Sequence, residues 1–155
     1  MKVLVDSNVI LDVLMQREPF FEDSNLAIEK LLKNGDKLYV SASCITDIYY
    51  LLRKKIGDHL KTIDKIRKLV AVFDIAEVNQ HCIIKALKSK IVDFEDAVVD
   101  SVASDIKANI ILTRNEKDFK EADNKICIPS QFKGMRKMTP EELKNHYVGK
   151  QIRNS

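Results

Sequence analysis

Apolar positions along this chain fall into two alternating patterns. Short, near-continuous apolar or β-branched runs bounded by polar residues occur at 2–5 (KVLV), 37–40 (KLYV), 71–75 (AVFDI), 109–112 (NIIL) and 125–128 (KICI). They have the length and composition of buried strands. Between them the spacing turns helical. Leu26, Leu31 and Leu32 mark one segment, and Ile45, Ile48, Tyr49, Leu51 and Leu52 a second. Ile83, Ile84 and Leu87 mark a third, and Val98, Val102 and Ile106 a fourth at i, i+4 spacing. Such an alternation predicts an α/β fold with a mostly parallel sheet covered on both faces.

The chain has 155 residues, a length that fits a single domain. A helix start is expected at TPEEL, 139–143, with Thr139 as N-cap and Pro140 in the first turn. After Tyr147 the sequence VGKQIRNS has little to bury, so the expected division is a domain over 1–147 and a flexible basic tail over 148–155.

Composition changes this picture little: 45% apolar and 32% charged residues describe an ordinary globular chain rather than a disordered or fibrous one. The first apolar run is cut by Asp6, too early for a signal sequence, and no run nears the ~18 apolar residues of a membrane span. A cytoplasmic protein with no membrane contact is expected. Cys44, Cys82 and Cys127 lack the spacing of a zinc site or disulfide framework and read as small buried hydrophobes. Net charge is +3, but residues 133–155 hold six basic residues against two acidic ones, so the excess belongs to the C-terminal stretch. A second cluster, Arg53 to Lys68, carries seven basic residues against Asp58 and Asp64. It is either a footprint for a phosphate backbone or a solvated helix face.

Open α/β sheets collect their functional groups at the carboxyl ends of the strands. The first strand ends there on Asp6, followed by Ser7 and Asn8. A carboxylate leaving a buried strand needs hydrogen bonds, a basic partner or a cation. Asp6 is therefore either the cap of a helix starting near Asn8 or part of a site. Asp47, on the more polar side of the second helical segment with Lys54, is either a complement to the helix dipole or a second member of that site.

In DFEDAVVDSVASDI, 93–106, a helical wheel puts Phe94, Val98, Val102 and Ile106 on one side, with Asp93, Asp96 and Asp100 within about 60° of each other on another. Asp93 suits an N-cap with Asp96 as a capping-box-like partner, which leaves Asp100 unexplained. Glu95 falls toward the apolar arc, either folded back at the helix start or drawn into a site. A last stretch, ILTRNEKDF at 111–119, ends a strand at Thr113 and puts Asn115 and Asp118 on the loop that follows. If the first and fourth strands are neighbours, Asp6, Asp96 and the 115–118 loop converge, with Asp47 entering from the helix opposite. Carboxylates brought close raise one another's pKa unless a cation sits among them. His59, His81 and His146 lie away from these motifs, so Mg²⁺ or Mn²⁺ suits the oxygen-rich set better than zinc. An acidic metal pocket beside basic surface suits phosphodiester chemistry.

VLVDSNVILDVL, SASCITDIYYLLRK, DFEDAVVDSVA, ILTRNEKDF and MTPEEL, in this order and spacing, resemble the PIN-domain family, of the kind found as the toxin in VapBC-type toxin–antitoxin pairs. The resemblance spans roughly residues 1–147. It implies a three-layer α/β/α sandwich with a sheet of four to five strands, a Mg²⁺- or Mn²⁺-dependent endoribonuclease, a homodimer and an antitoxin partner. Asp6 and Asp96 match the first and third acidic positions of the family, and Asn8 a polar residue near the metal. Asp47 takes the second position, where many members have Glu. At the fourth, where the family often has Thr-x-Asp, this sequence has Asn115, with Asp118 three residues later.

The implied metal set is thus Asp6, Asp47, Asp96, Asn115 and Asp118, of which the four carboxylates are the catalytic candidates. Ser7, Asn8, Glu95 and Thr113 are candidates to support them. Arg53, Lys54, Lys55 and Arg114 are candidate contacts for RNA phosphates, although Arg114 equally suits an ion pair with Glu116 or Asp118. Two rival readings are a PIN-fold binding module with a degraded metal site, for which Asn115 speaks, and a phosphatase of the haloacid-dehalogenase kind. The second wants another Asp where Asn8 stands.

Overall fold

A computed structural model of the chain describes residues 1–132. The expected helix at 139–143, the 148–155 tail and His146 lie outside the described residues. Five strands, β1 (Lys2–Val5), β2 (Lys37–Ser41), β3 (Asp74–Ala76), β4 (Ile110–Leu112) and β5 (Ile126–Cys127), form one sheet in the order β3-β2-β1-β4-β5. Every pairing is parallel, with Val3 opposite Leu38 on one side and Ile110 on the other.

Six helices connect them: α1 (Ser7–Leu14), α2 (Phe21–Lys33), α3 (Ala42–Ile56), α4 (His59–Val72), α5 (Gln80–Leu87) and α6 (Phe94–Asp105). Right-handed crossovers place α1 to α4 on one face of the sheet and α5 with α6 on the other, in keeping with the packing of α1 on α2 and α3, α3 on α4, and α5 on α6. The fold is the expected three-layer α/β/α sandwich, and its central strands are wholly apolar and buried. Val3, Leu4, Val5, Ile111 and Leu112 are all within 1% of full burial.

Three sequence expectations need correction. The run at 71–75 is not a strand throughout. Asp58 caps α4 by accepting from the Lys61 amide, and the helix then carries Ala71 and Val72 before the chain extends at Phe73 and enters the short edge strand β3. The apolar marks of α5 also face outward: Ile83, Ile84 and Leu87 are 36, 43 and 70% exposed, whereas the small Cys82 and Ala86 are buried. Close approach of α5 to α6 favours small side chains at the contact. Phe94, assigned to the apolar arc of α6, is likewise half-exposed, while Val98 and Val102 are buried. Of the three cysteines, Cys44 and Cys82 are buried, Cys127 is half-buried, and all are free.

Strand order reverses between β1 and β4, which opens a crevice beyond their carboxyl ends. Val5 pairs with Leu112, and the next residue of each strand, Asp6 and Thr113, begins the site.

Candidate active site at the β1–β4 switch point

Asp6 performs both tasks that its sequence position allows. It is the N-cap of α1, with Oδ1 accepting from the Ser7 amide at 2.7 Å. Its Oδ2 accepts from the Thr113 hydroxyl at 2.8 Å and from Asn8 Nδ2 at 3.3 Å. Asn8 also binds the Thr113 hydroxyl through Nδ2 and receives the Arg114 amide on Oδ1, so one amide side chain ties α1 to the end of β4. The Asn115 amide in turn donates to Thr113 Oγ1 at 3.1 Å. Ser7, Asn8 and Thr113 thus all meet around Asp6. Asn8, at the position the phosphatase reading needs as Asp, serves as a bridge.

Asp6 is 5% exposed, and burial raises its pKa against the opposing effect of the Thr113 and Ser7 hydrogen bonds. Asp96 lies in the first turn of α6, whose cap is Asp93 accepting from the Asp96 amide at 3.1 Å. Its carboxyl is pushed up to about 7, first by burial and then by the charges of Asp6, Asp93, Asp118 and Glu95. Glu95 is raised by burial of its carboxyl group and then by the neighbouring Asp47 and Asp6. Glu95 as a whole is exposed, so solvent screens much of this effect. The Cys44 thiol, beneath Asp6, Glu95 and Asp47, is pushed up to about 12 by burial and then by Asp6, so it stays a neutral thiol.

These mutual influences bring Asp6, Asp47, Glu95, Asp96 and Asp118 to one acidic rim. Asp118 arrives by a turn: its amide and that of Phe119 both donate to the Asn115 carbonyl, which folds the loop back while Phe119 anchors it in the core. Among the described residues no group of three His, Cys, Asp or Glu side chains closes into a ready cage, so the rim is open. Its donors are carboxylate, hydroxyl and amide oxygens. His59 is bound to Tyr49, and His81 faces Asp105, away from the rim. An open set of hard oxygens fits a Mg²⁺-like cation, which keeps several waters.

Three candidates are placed elsewhere. Asp100 does not face the rim. It is 4% exposed and accepts from the Asp123 amide, the Asn124 amide and Asn124 Nδ2, latching α6 to the loop before β5. Arg114 meets neither Glu116 nor Asp118 and is not free for phosphate. Its Nε lies 2.6 Å from Asp12 Oδ2 and its guanidinium 3.8 Å from the Phe20 ring centre. Lys55 donates to the Met15 carbonyl at the end of α1, where the helix dipole favours a cation. Arg53 and Lys54 remain in the last turn of α3, about 10 Å along the helix from Asp47.

Sequence reasoning missed Asp12. It is completely buried and bound by Arg17 Nε at 3.1 Å, Arg114 Nε, and Ser24 Oγ at 3.0 Å. The signal was a charged residue inside the apolar helix VILDVL, where a carboxylate is tolerated only if paired.

A PIN-domain family model matches residues 2–117. The chain belongs to the PIN-domain family. Ribonuclease VapC1 of Aquifex aeolicus (strain VF5) is 30% identical over 136 residues, which cover 84% of this chain and 92% of that protein. Among solved structures, a chain of VapBC-1 from nontypeable Haemophilus influenzae superposes with a TM-score of 0.64 at 17% identity, covering 84% of this chain and 99% of that one. A chain of VapBC2 from Rickettsia felis, bound to a promoter DNA fragment, gives 0.62 at 16% identity over 83% and 98%. At these identities the two crystal structures share the fold.

Proposed function

We propose that this chain is a cytoplasmic, Mg²⁺- or Mn²⁺-dependent endoribonuclease, the toxin of a toxin–antitoxin pair. The observation that carries the reading is the convergence of four acidic positions, Asp6, Asp47, Asp96 and Asp118, at the β1–β4 switch point. The kinship with Ribonuclease VapC1 supports the reaction, and the likeness to chains of VapBC complexes supports an antitoxin partner. Exposed Ile83, Ile84, Leu87 and Val92 offer apolar surface for a partner or a second copy of the chain.

Asp6, Asp96 and Asp118 would hold the cation, with Asp47 and Glu95 adding negative charge beside it. Asn115 acts mainly through its backbone, so Asp118 supplies the fourth acidic position. When bound, the cation offsets charge on the phosphate and makes water a stronger nucleophile. The Thr113 hydroxyl and Asn8 Nδ2 occupy Asp6 Oδ2, while the Ser7 amide takes one lone pair of Oδ1 and leaves the other for the cation.

The test is cleavage of a structured RNA by the purified protein with Mn²⁺, Mg²⁺ or EDTA, with Asp6→Asn and Asp96→Asn in parallel. Metal-dependent cleavage lost in both variants is expected. Cleavage that persists in EDTA or in both variants overturns the site, and RNA left intact under every condition favours the binding-module reading.

A further inference from the structure

We propose that Tyr50, flanked by Leu51 and Lys54 on α3, is a stacking platform for a nucleobase of single-stranded RNA next to the acidic rim. This rests on the ribonuclease reading. On a helical wheel Asp47, Tyr50, Leu51 and Lys54 lie within an arc of about 100°, opposite the core positions Ile48 and Leu52. Tyr50 is 58% exposed and Leu51 40%, so two adjacent apolar side chains are presented to water beside a row of charges. Lys54 Nζ sits 4.8 Å from the Tyr50 ring centre. Among the described residues the Tyr50 hydroxyl has no hydrogen-bond partner. The adjacent Tyr49 shows the contrast: half-buried, it bonds His59 Nδ1 at 2.7 Å and braces α3 against α4.

Position supplies the rest of the argument. Tyr50 stands one turn beyond Asp47, whose charge bears on Glu95 at the rim. The rim repels a polyanion, so RNA must be gripped outside it. The α3 face offers that grip, with an aromatic ring for a base and, at Arg53 and Lys54, cations for the phosphates that follow. The ammonium over one ring face steadies the side chain, and a base stacks on the other. A duplex keeps its bases stacked on each other, so the platform selects unpaired nucleotides and leaves their identity open.

The experiment measures binding of a fluorescein-labelled mixed-sequence RNA 12-mer, and of the same sequence annealed to its complement, in EDTA so that no cleavage occurs. Wild type, Tyr50→Phe, Tyr50→Ala and Lys54→Ala are compared with Asp6→Asn, and thermal midpoint and elution volume are recorded for each. Tyr50→Ala is expected to weaken single-strand binding by roughly tenfold or more, with Tyr50→Phe near wild type, the duplex unaffected, and midpoint and oligomeric state unchanged. In the cleavage assay the same loss appears in KM and not in kcat. Wild-type affinity in Tyr50→Ala overturns the platform, as does a change in its oligomeric state, which makes this face an interface between copies. Cleavage by wild type that is indifferent to Tyr50 overturns the platform alone. Tyr50-dependent binding by a protein that cleaves nothing overturns the nuclease reading alone.

Discussion

Two sets of carboxylates sit in this fold, and their surroundings set them apart. Asp12 and Asp100 are buried and met by donors. Two guanidiniums and a hydroxyl hold Asp12, and two backbone amides and the Asn124 side chain hold Asp100. Asp6 is also met by the Ser7 amide and the Thr113 hydroxyl, but its burial outweighs them, whereas Glu95 and Asp96 are met by burial and by neighbouring carboxylates; each of the three is harder to ionise than an ordinary carboxyl. Structural acids have their charge answered within the chain. The rim answers its charge only in part, a state that a bound cation would relieve.

Removing a structural acid should cost stability most. Asp12→Ala strands Arg17 and Arg114 beside a buried gap. Breaking a buried pair costs 3–5 kcal/mol as a rule, but these arginine side chains are 33 and 24% exposed and can turn toward water, so about 3 kcal/mol is expected. Urea unfolding followed by circular dichroism measures it, and a loss under 1 kcal/mol would remove the distinction from Asp100. Next come Asp6→Asn and Asp96→Asn, expected to lower metal-dependent cleavage by more than about a hundredfold, beyond the 10–100-fold typical of groups one step from a metal. Their thermal midpoints should hold or rise, because like charges are being removed; a fall matching that of Asp12→Ala would erase the contrast. Asp100→Ala should cost about 1–3 kcal/mol by orphaning the Asp123 and Asn124 donors. Proteolysis focused at the 121–125 loop, with α6 intact, would report the latch.

The smallest effect is one of pH. Asp96 has a folded pKa of about 7 against an ordinary 3.8, so folding favours its protonated form. That contribution is fully present below pH ~4 and is lost as pH rises through 7. In EDTA, the midpoint of wild type should therefore fall relative to Asp96→Asn between pH 4 and 7.5, by a few degrees at most given that Asp96 is half-exposed. Parallel curves would mean that Asp96 does not titrate in this range.

The α/β architecture was legible because buried parallel strands write themselves as short apolar runs, and the crossover helices as i, i+4 spacing. What failed was local and had local causes. AVFDI reads as a strand by composition, but the cap at Asp58 launches a helix long enough to absorb Ala71 and Val72. In α5, spacing located the helix without telling which side packs inward against α6, because Cys82 and Ala86 make the contact through smallness rather than apolar bulk. For the site, strand-end position and helix phase pointed to Asp6, Asp47, Asp96 and Asp118, whose charges bear on the same few carboxyls in the structure. Phase could not divide Asp96 from Asp100, since the division comes from amides 23 and 24 residues downstream. The Asp12–Arg114 pair joins residues 102 apart and exists only once β4 lies beside β1.

The rim's carboxylates, at 6, 47, 96 and 118, are separated by most of the chain, and the set is not complete until β4 has docked on β1. Early in synthesis, an emerging polypeptide holds Asp6 and Asp47 with nothing to complete them. The order of the residues along the chain thus delays the site: its carboxylates all come together only after nearly all of the sheet is in place.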